Sequence, residues 1–252
     1  MSFPHFRFKQ FTVWHDRCAM KVGTDGVLLG AWCPIPNSPS GPPIGGRPSN
    51  IRVLDIGTGS GLIALMLAQR LSSLALHIDA IDIDTDAVSQ AAYNFCQSPW
   101  AEQLYAHHST LQDWSPSPIA YDYDLIVSNP PYFQESLKNP DAQRATARHT
   151  DTLSFTELIQ HAARLLSANG TLALVLPFEA KEDIISLAHT HGLYPTHITH
   201  VHSKPGRPAK RLLIAFSPIS NTPYPTPEIM YIESADSPRS EEYKKLTKDF
   251  YL

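Results

Sequence analysis

The sequence predicts an α/β protein in which a seven-stranded sheet carries helices on both faces. Three short apolar runs, which lead to Asp55, Asp82 and Asn129, alternate with segments of helical period. The first run continues into a glycine-rich segment and then a helical stretch, the order typical of sheets with parallel strands. With 252 residues, 42% of them hydrophobic, the chain can bury one sizeable core. We therefore expect one main domain.

The N-terminal region, residues 1–33, is expected to form a hairpin and a short helix that pack on the core. Phe6–Phe11 mixes aromatic and polar positions as a half-exposed strand does. Thr24 or Asp25 can cap the helix that follows. Residues 34–50 are rich in proline and glycine and predict a flexible loop.

The core is expected to span residues 51–218 and to alternate strands with helices. A capping box, Ser154–Glu157, opens a helix that should run to about Leu166 and end at Asn169-Gly170. Residues 219–252 are expected to form a C-terminal extension with a docking helix. The strands are predicted at 51–56, 76–81, 104–108, 124–127, 171–176, 193–202 and 212–216.

Glycines between the first core strand and the next helix predict a ligand that approaches the backbone closely. The spacing of Gly57, Gly59 and Gly61 is G-x-G-x-G, which differs from the G-x-G-x-x-G of dinucleotide binders. Asp55 at the strand end suits a cationic amine, and Asp82, about 20 residues further on, suits ribose hydroxyls. Together they indicate S-adenosylmethionine, although Asp82 can also be a polar residue that merely ends a strand.

Asn129-Pro130-Pro131-Tyr132 follows a predicted buried strand, and its prolines force the chain out of the sheet. Such a rigid loop suits a planar group with an exocyclic amine. The Asn129 side-chain oxygen and the Pro130 carbonyl can accept the two amine hydrogens, and Tyr132 can stack on the base. These three are the candidate catalytic residues; the alternative is a proline-rich turn capped by Asn.

The composition excludes several classes of protein. A formal net charge of −4 argues against a protein that coats nucleic acid without specificity. The absence of a long apolar run and of a signal peptide predicts a cytoplasmic protein without membrane contact. Three cysteines without C-x-x-C spacing predict no disulfide framework and no zinc site, and His200 and His202, which share one strand face without an acidic partner in register, predict no metal site. The sequence leaves the oligomeric state open.

A local basic segment can still hold RNA. Lys204, Arg207, Lys210 and Arg211 place four cations within eight residues, and the intervening proline and glycine predict a loop between the last two strands. We expect these cations to contact phosphates, the alternative being a solvated turn. The sequence does not fix which edge of the sheet this loop occupies.

Taken together, these segments resemble the bacterial tRNA1(Val) adenine-N6-methyltransferase family nearly from end to end. The resemblance implies a Rossmann-like class I methyltransferase that acts on the adenine beside the anticodon of a valine tRNA. The segments that carry it are Phe8–Phe11, Lys21–Gly26, Asp55–Gly61, Asn129–Tyr132, Arg148-His149 and Leu246–Leu252.

The same resemblance implies cofactor or substrate contacts for Thr24, Asp25, Asp55, Gly57, Asp82 and Asn129. In one place the chain departs from the family. Where related enzymes often set an Asp against the cofactor adenine, this chain has Ser109-Thr110, with Asp113 the nearest acid. Thr110 is the candidate there because its hydroxyl can donate or accept a hydrogen bond.

Other functions remain possible on the sequence alone. The Asn129 loop could grip the amide of a protein glutamine or another exocyclic amine of RNA or DNA. A glutamine methyltransferase would be expected to carry a separate N-terminal helical domain, yet only about fifty residues precede the first core strand. A non-catalytic protein that kept the cofactor fold is a third possibility, against which the intact glycine, Asp55 and Asn129 set argues.

Overall fold

The computed structural model describes residues 4–18, 20–39, 50–115, 122–130, 153–220 and 223–252. Within them, a small antiparallel hairpin, β1 (His5–Arg7) and β2 (Thr12–Trp14), precedes a large mixed sheet. The expected N-terminal hairpin is thus present. Most of the proline-rich stretch, residues 40–49, lies outside the described part of the chain.

The large sheet has eight strands in the described residues, in the order β10-β8-β9-β7-β6-β3-β4-β5. Only β9 runs antiparallel to its neighbours among these strands. The strands are β3 (Ile51–Ile56), β4 (Leu76–Asp82), β5 (Leu104–His108), β6 (Tyr123–Ser128), β7 (Leu166–Pro177), β8 (Tyr194–His202), β9 (Ala209–Ser217) and β10 (Glu228–Tyr231).

The α/β class with helices on both faces is confirmed, but the expected number of seven strands is wrong. The additional strand, β10, pairs in parallel with β8 at the edge of the sheet. It has four residues, none of which is fully buried. Its short apolar run, Ile229–Ile232, closely follows the proline-rich stretch Pro223–Pro227, so the sequence did not predict a strand there.

The helices are α1 (Thr24–Trp32), α2 (Leu62–Arg70), α3 (Thr85–Cys96), α4 (Phe155–Leu165), α5 (Lys181–Thr190) and α6 (Glu241–Thr247). The capping box at Ser154 is confirmed. Two boundary expectations are wrong. Gly23 is the N-cap of α1, so Thr24 and Asp25 lie inside its first turn. Asn169-Gly170 lies within β7, because that strand begins directly after α4.

An apolar layer covers each face of the sheet. One layer joins α1, α2 and α3 to the terminal segments, and the other joins α4 and α5 to the opposite face. The C-terminal helix docks in the first layer, where Tyr243 is buried and Leu246 is partly buried, as predicted. Phe250 is also buried there, but the expectation that it shares the helical spacing is wrong, because the helix ends at Thr247. No helix in the described residues is long and apolar enough to span a membrane.

Candidate cofactor and substrate site

Three candidate residues meet at the carboxyl edge of the parallel strands. Ile56 of β3 lies opposite Ile81 of β4 on one side and Ser128 of β6 on the other. The residues that follow these three in the chain, Gly57, Asp82 and Asn129, therefore lie side by side at the carboxyl ends of three neighbouring strands. Ligands of open α/β sheets bind in the crevice beyond such ends. The glycine segment, the second acid and the Asn-Pro loop are thus neighbours, as the sequence predicted.

Asp55 is a buried carboxyl group with an incomplete set of partners. Its side chain is fully buried, and Oδ2 accepts hydrogen bonds from Thr58 Oγ1 at 2.8 Å and the Ala64 amide at 3.3 Å. Oδ1 has no hydrogen-bond partner among the described residues. Burial raises the pKa of Asp55 to about 7, and the nearby Asp82 charge adds to that shift. A cationic amine at this position would stabilise the ionised carboxylate.

The glycine segment leaves room for a ligand against the backbone. Gly57 and Gly59 have φ angles of +70° and +55°, and an added Cβ at either would meet no atom within 4 Å. Gly61 differs, because an added Cβ would lie 2.5 Å from Phe95 Cε1. The first two glycines therefore face open space, and the third permits close packing of α3. An unpaired carboxylate oxygen beside such a cradle fits S-adenosylmethionine.

Asp82 shapes this cradle from the next strand. Its Oδ2 accepts from the Gly59 amide at 2.9 Å, and its Oδ1 accepts from the Asp84 amide at 3.0 Å. The helix cap is a different residue, Asp84, which accepts from the Asp86 amide. A carboxylate has about four acceptor positions, so Asp82 retains capacity for two ribose hydroxyls.

Thr110 and Asp113 form one unit beyond β5. The Thr110 hydroxyl donates to Asp113 Oδ2 at 2.8 Å and accepts from the Asp113 amide at 3.0 Å. The preceding residue, Ser109, is held by the hydrogen bond from its amide to the Asp82 carbonyl at 3.0 Å. This brings the pair to the edge of the sheet where Asp82 lies.

The Asn-Pro loop begins at the end of β6. Ser128 is buried and donates to the Ile56 carbonyl at 2.9 Å, which fixes this end of the strand against β3. Asn129 is half-buried and Pro130 is buried. Tyr132, the third candidate catalytic residue, lies outside the described residues, as do Arg148 and His149.

Helix α1 brings Thr24 and Asp25 to the same edge. A Cβ added at Gly26 would lie 3.0 Å from Leu62 Cδ2, so the first turn of α1 adjoins the start of α2. Asp25 forms an ion pair with Arg211 of β9. The sequence assigned these two side chains separately, to the cofactor and to RNA, and did not predict that they contact each other.

The basic segment also lies at this edge. Because β8 runs parallel to β7, the turn after His202 leaves the sheet on the carboxyl side. Lys204 and Arg207 are in this turn, and both are exposed. The expectation that all four cations lie in a loop is wrong, since Lys210 and Arg211 belong to β9. Arg211 pairs there with Pro177 at the end of β7.

One positioning residue was missed. Asn94 of α3 is 1% exposed, and its Nδ2 donates to the carbonyls of Trp14 and Ser60, each at 2.8 Å. Its Oδ1 accepts from the Trp14 amide at 2.9 Å. Asn94 thereby ties the N-terminal hairpin to the glycine segment. A polar residue beside the apolar Ala91 and Phe95 was the available signal.

Among the residues that the structure describes, no group of three or more His, Cys, Asp or Glu side chains is arranged to hold a metal ion. His200 instead packs edge-on against Phe178, with ring centroids 4.9 Å apart. His202 lies against Tyr231 at 5.4 Å.

Comparison with known proteins agrees with the fold. A predicted O-methyltransferase from Agrobacterium tumefaciens, of solved structure, covers 90% of this chain with a TM-score of 0.60 at 16% identity and is itself covered to 96%. The sequence model of the methyltransferase small domain family matches residues 47–187. Fold and site thus define an S-adenosylmethionine-dependent methyltransferase.

Full-length relatives identify the family. Proteins of Bacteroides fragilis and Parabacteroides distasonis named tRNA1(Val) (adenine(37)-N6)-methyltransferase are each 48% identical to this chain, over 100% of its length and 99% of their own. The chain belongs to that family.

Proposed function

We propose that the protein transfers a methyl group from S-adenosylmethionine to N6 of an adenine in tRNA, the adenine beside the anticodon of a valine tRNA. The family relatives support this substrate. The observation that carries the chemistry is the position of Asn129, which leaves β6 at the level where Gly57 and Asp82 leave their strands. An amine acceptor and the cofactor cradle thus share one crevice. A tRNA substrate also supports a cytoplasmic location.

The cofactor supplies an electrophilic methyl group when it is bound. On this proposal Asp55 holds its cationic amine, since the carboxylate is buried with one oxygen unpaired. Asp82 accepts from the ribose hydroxyls, and Thr110 contacts the adenine ring. Gly57, Gly59 and Gly61 let the ligand lie against the backbone, and Thr24 and Asp25 close the same edge from α1.

The substrate side must compensate for a poor nucleophile, because the N6 lone pair of adenine is delocalised into the ring. The Asn129 side-chain oxygen and the Pro130 carbonyl accept the two amine hydrogens and fix the amine in line with the methyl group. Such positioning can supply a large part of the rate acceleration. Tyr132 stacks on the base that has been taken out of its own stack.

Nucleoside analysis tests this function directly. Bulk tRNA and rRNA are incubated separately with the protein and labelled S-adenosylmethionine, digested and analysed by mass spectrometry. We expect labelled N6-methyladenosine in tRNA and none in rRNA. Label in neither RNA, under conditions where the protein binds the cofactor, would contradict the proposal. Label in a protein fraction that is incubated in parallel would favour glutamine methylation instead.

A further inference from the structure

We propose that the turn between β8 and β9, which carries the exposed Lys204 and Arg207, and the start of β9, which carries the exposed Lys210, together form a docking surface for the phosphate backbone of the substrate RNA. We call residues 203–210, which comprise this turn and the first two residues of β9, the basic turn. This inference rests on the proposed function, because it names where the RNA of that reaction is held. It excludes Arg211, which the sequence had grouped with these cations.

The position of the basic turn follows from the strand register. Ser128 at the end of β6 lies opposite Leu174 of β7, and Pro177 at the end of β7 lies opposite Arg211 of β9. At about 3.3 Å per residue along a strand, the turn rises roughly 15 Å above the end of β6. It is displaced sideways by two to three strand spacings, roughly 10–15 Å. RNA with its target base at Asn129 therefore has a phosphate backbone within reach of the turn.

The three cations are available to a partner. Within the described residues, none of Lys204, Arg207 and Lys210 makes an ion pair, whereas Arg211 is paired with Asp25. Glu233 adjoins the turn, since its amide donates to the Ser203 carbonyl at 2.9 Å. Residues 203–210 contain three cations and no acid, so the segment keeps a positive excess even with Glu233 beside it. Exposed cations that lack a protein partner can replace the counterions of phosphates.

The basic turn is also held in shape. His202 Nδ1 lies 2.6 Å from the Arg207 carbonyl oxygen, and because a carbonyl only accepts, the ring nitrogen donates. The Arg207 amide donates to the Lys204 carbonyl at 3.2 Å. Gly206, at a φ of +76°, permits the reversal of the chain. A preorganised turn loses less conformational entropy when it binds, which favours a specific contact over a mobile basic loop.

Phosphate is the group that this chemistry selects. Lys and Arg side chains on an exposed turn contact phosphate oxygens and fix the register of a nucleic acid without reading its bases. The protein as a whole has a formal charge of −4, so a local excess of positive charge at the edge that holds Asn129 also favours one orientation of the RNA. Base recognition is then left to the crevice at Asn129.

The experiment measures tRNA affinity against salt concentration. The test variant is Lys204→Gln/Arg207→Gln/Lys210→Gln, and its probe is an unmodified transcript of valine tRNA. The control variant, Arg164→Gln/Lys245→Gln/Lys248→Gln, removes the same charge from exposed positions on α4 and at the C-terminal helix. Cofactor affinity of each protein is measured by calorimetry to show that the folded site is intact.

We expect the test variant to bind the transcript roughly 10- to 100-fold more weakly at 0.1 M salt. The slope of log affinity against log salt should fall by about 2, at ~0.7 for each single-strand phosphate no longer neutralised. Cofactor affinity should stay unchanged, and the control variant should behave as the wild type. An unchanged slope in the test variant, or an equal change in the control, would overturn the docking surface. Methylation by the wild type is measured separately and decides the proposed function independently of this result.

Discussion

Asp55 shows how a site residue can oppose folding. Its carboxyl group is fully buried, and one oxygen has no hydrogen-bond partner among the described residues. A buried polar group without a partner costs free energy of folding, and an ionised one costs more. The raised pKa of Asp55 expresses this cost. A ligand amine that pairs with the carboxylate would remove it, so the cost belongs to the cofactor-free protein.

Without cofactor, the variant Asp55→Asn should therefore become more stable than the wild type as pH rises, because the wild type loses stability that the variant keeps. Folding raises the pKa of Asp55 from 3.8 to about 7. The contribution of this carboxyl group to the free energy of unfolding is therefore fully present below about pH 4 and is lost as pH rises through about 7. Asn does not titrate and can still accept from Thr58. Between pH 5 and pH 8 the variant should gain roughly 2–3 kcal/mol relative to wild type, at ~1.36 kcal/mol per pKa unit.

Chemical denaturation of both proteins at these two pH values measures the gain. The affinity of the wild type for S-adenosylmethionine should fall as pH drops below about 7, where binding must displace a proton from Asp55. In the variant that dependence should be absent and the affinity low. Parallel pH profiles of stability for the two proteins would show that Asp55 is already ionised in the folded state.

Asn129→Ala should separate methyl transfer from cofactor binding. The proposed role of this side chain is to accept a substrate hydrogen, so its loss should lower kcat by about 10²–10³-fold, as for other positioned polar groups. Calorimetry should give a cofactor affinity within about twofold of wild type. Asp82→Ala is the contrasting variant, since it should weaken cofactor binding first. A large loss of cofactor affinity in Asn129→Ala would assign Asn129 to the cofactor instead.

At the scale of elements, the turn from β3 to α2 contains glycines with different tasks. Gly57 and Gly61 both have positive φ angles, so alanine at either costs roughly 1–2 kcal/mol of backbone strain. At Gly61 the added Cβ also meets Phe95 of α3, and such overpacking costs roughly 1–3 kcal/mol more. Gly61→Ala should thus destabilise the fold clearly more than Gly57→Ala.

Urea denaturation of the two variants measures this difference. Gly57→Ala is the matched control, because it makes the same chemical change at a similar φ angle without the contact to Phe95. Equal losses of stability would show that α3 shifts to admit the methyl group, and that Gly61 is required only for its backbone conformation.

Elements with a strong local pattern could be predicted from the sequence, and those defined by distant contacts could not. The strands that lead to Asp55, Asp82 and Asn129 are apolar runs, and the carboxyl ends of parallel strands meet at one edge of a sheet. The sequence could not give the pairing of Asp25 with Arg211, which joins residues far apart in the chain. The sequence also could not show at which edge of the sheet the basic turn lies, because that depends on the direction of β8.

At the scale of the whole molecule, the two ends of the chain close over one face of the sheet. The Lys9 amide donates to the Phe250 carbonyl at 2.8 Å, and the rings of Phe8 and Tyr251 stack at 5.9 Å. Local periodicity predicted the C-terminal helix but not its partner, because the N-terminal hairpin lies more than 200 residues away. The C-terminal extension thereby stabilises the layer that contains α1 and α2.

Tyr243→Ala should test this closure. The Tyr243 side chain is 1% exposed and its hydroxyl lies 3.1 Å from that of Tyr251. Truncating a buried aromatic side chain typically costs about 3–5 kcal/mol. Tyr224→Ala makes the same change at a side chain that is 51% exposed and should cost no more than about 0.5 kcal/mol. Similar thermal midpoints for the two variants would show that the extension adds little to the stability of the core.

On the proposed function, this protein methylates N6 of the adenine beside the anticodon of a valine tRNA. The most direct measurement compares two transcripts of that tRNA, one unaltered and one with guanine in place of adenine 37, the position in the names of the relatives. Each is incubated with the protein and labelled S-adenosylmethionine, and nuclease fragments are analysed by mass spectrometry. We predict one labelled N6-methyladenosine, in the anticodon-loop fragment of the unaltered transcript alone. Equal labelling of both transcripts, or none in either, would contradict this assignment.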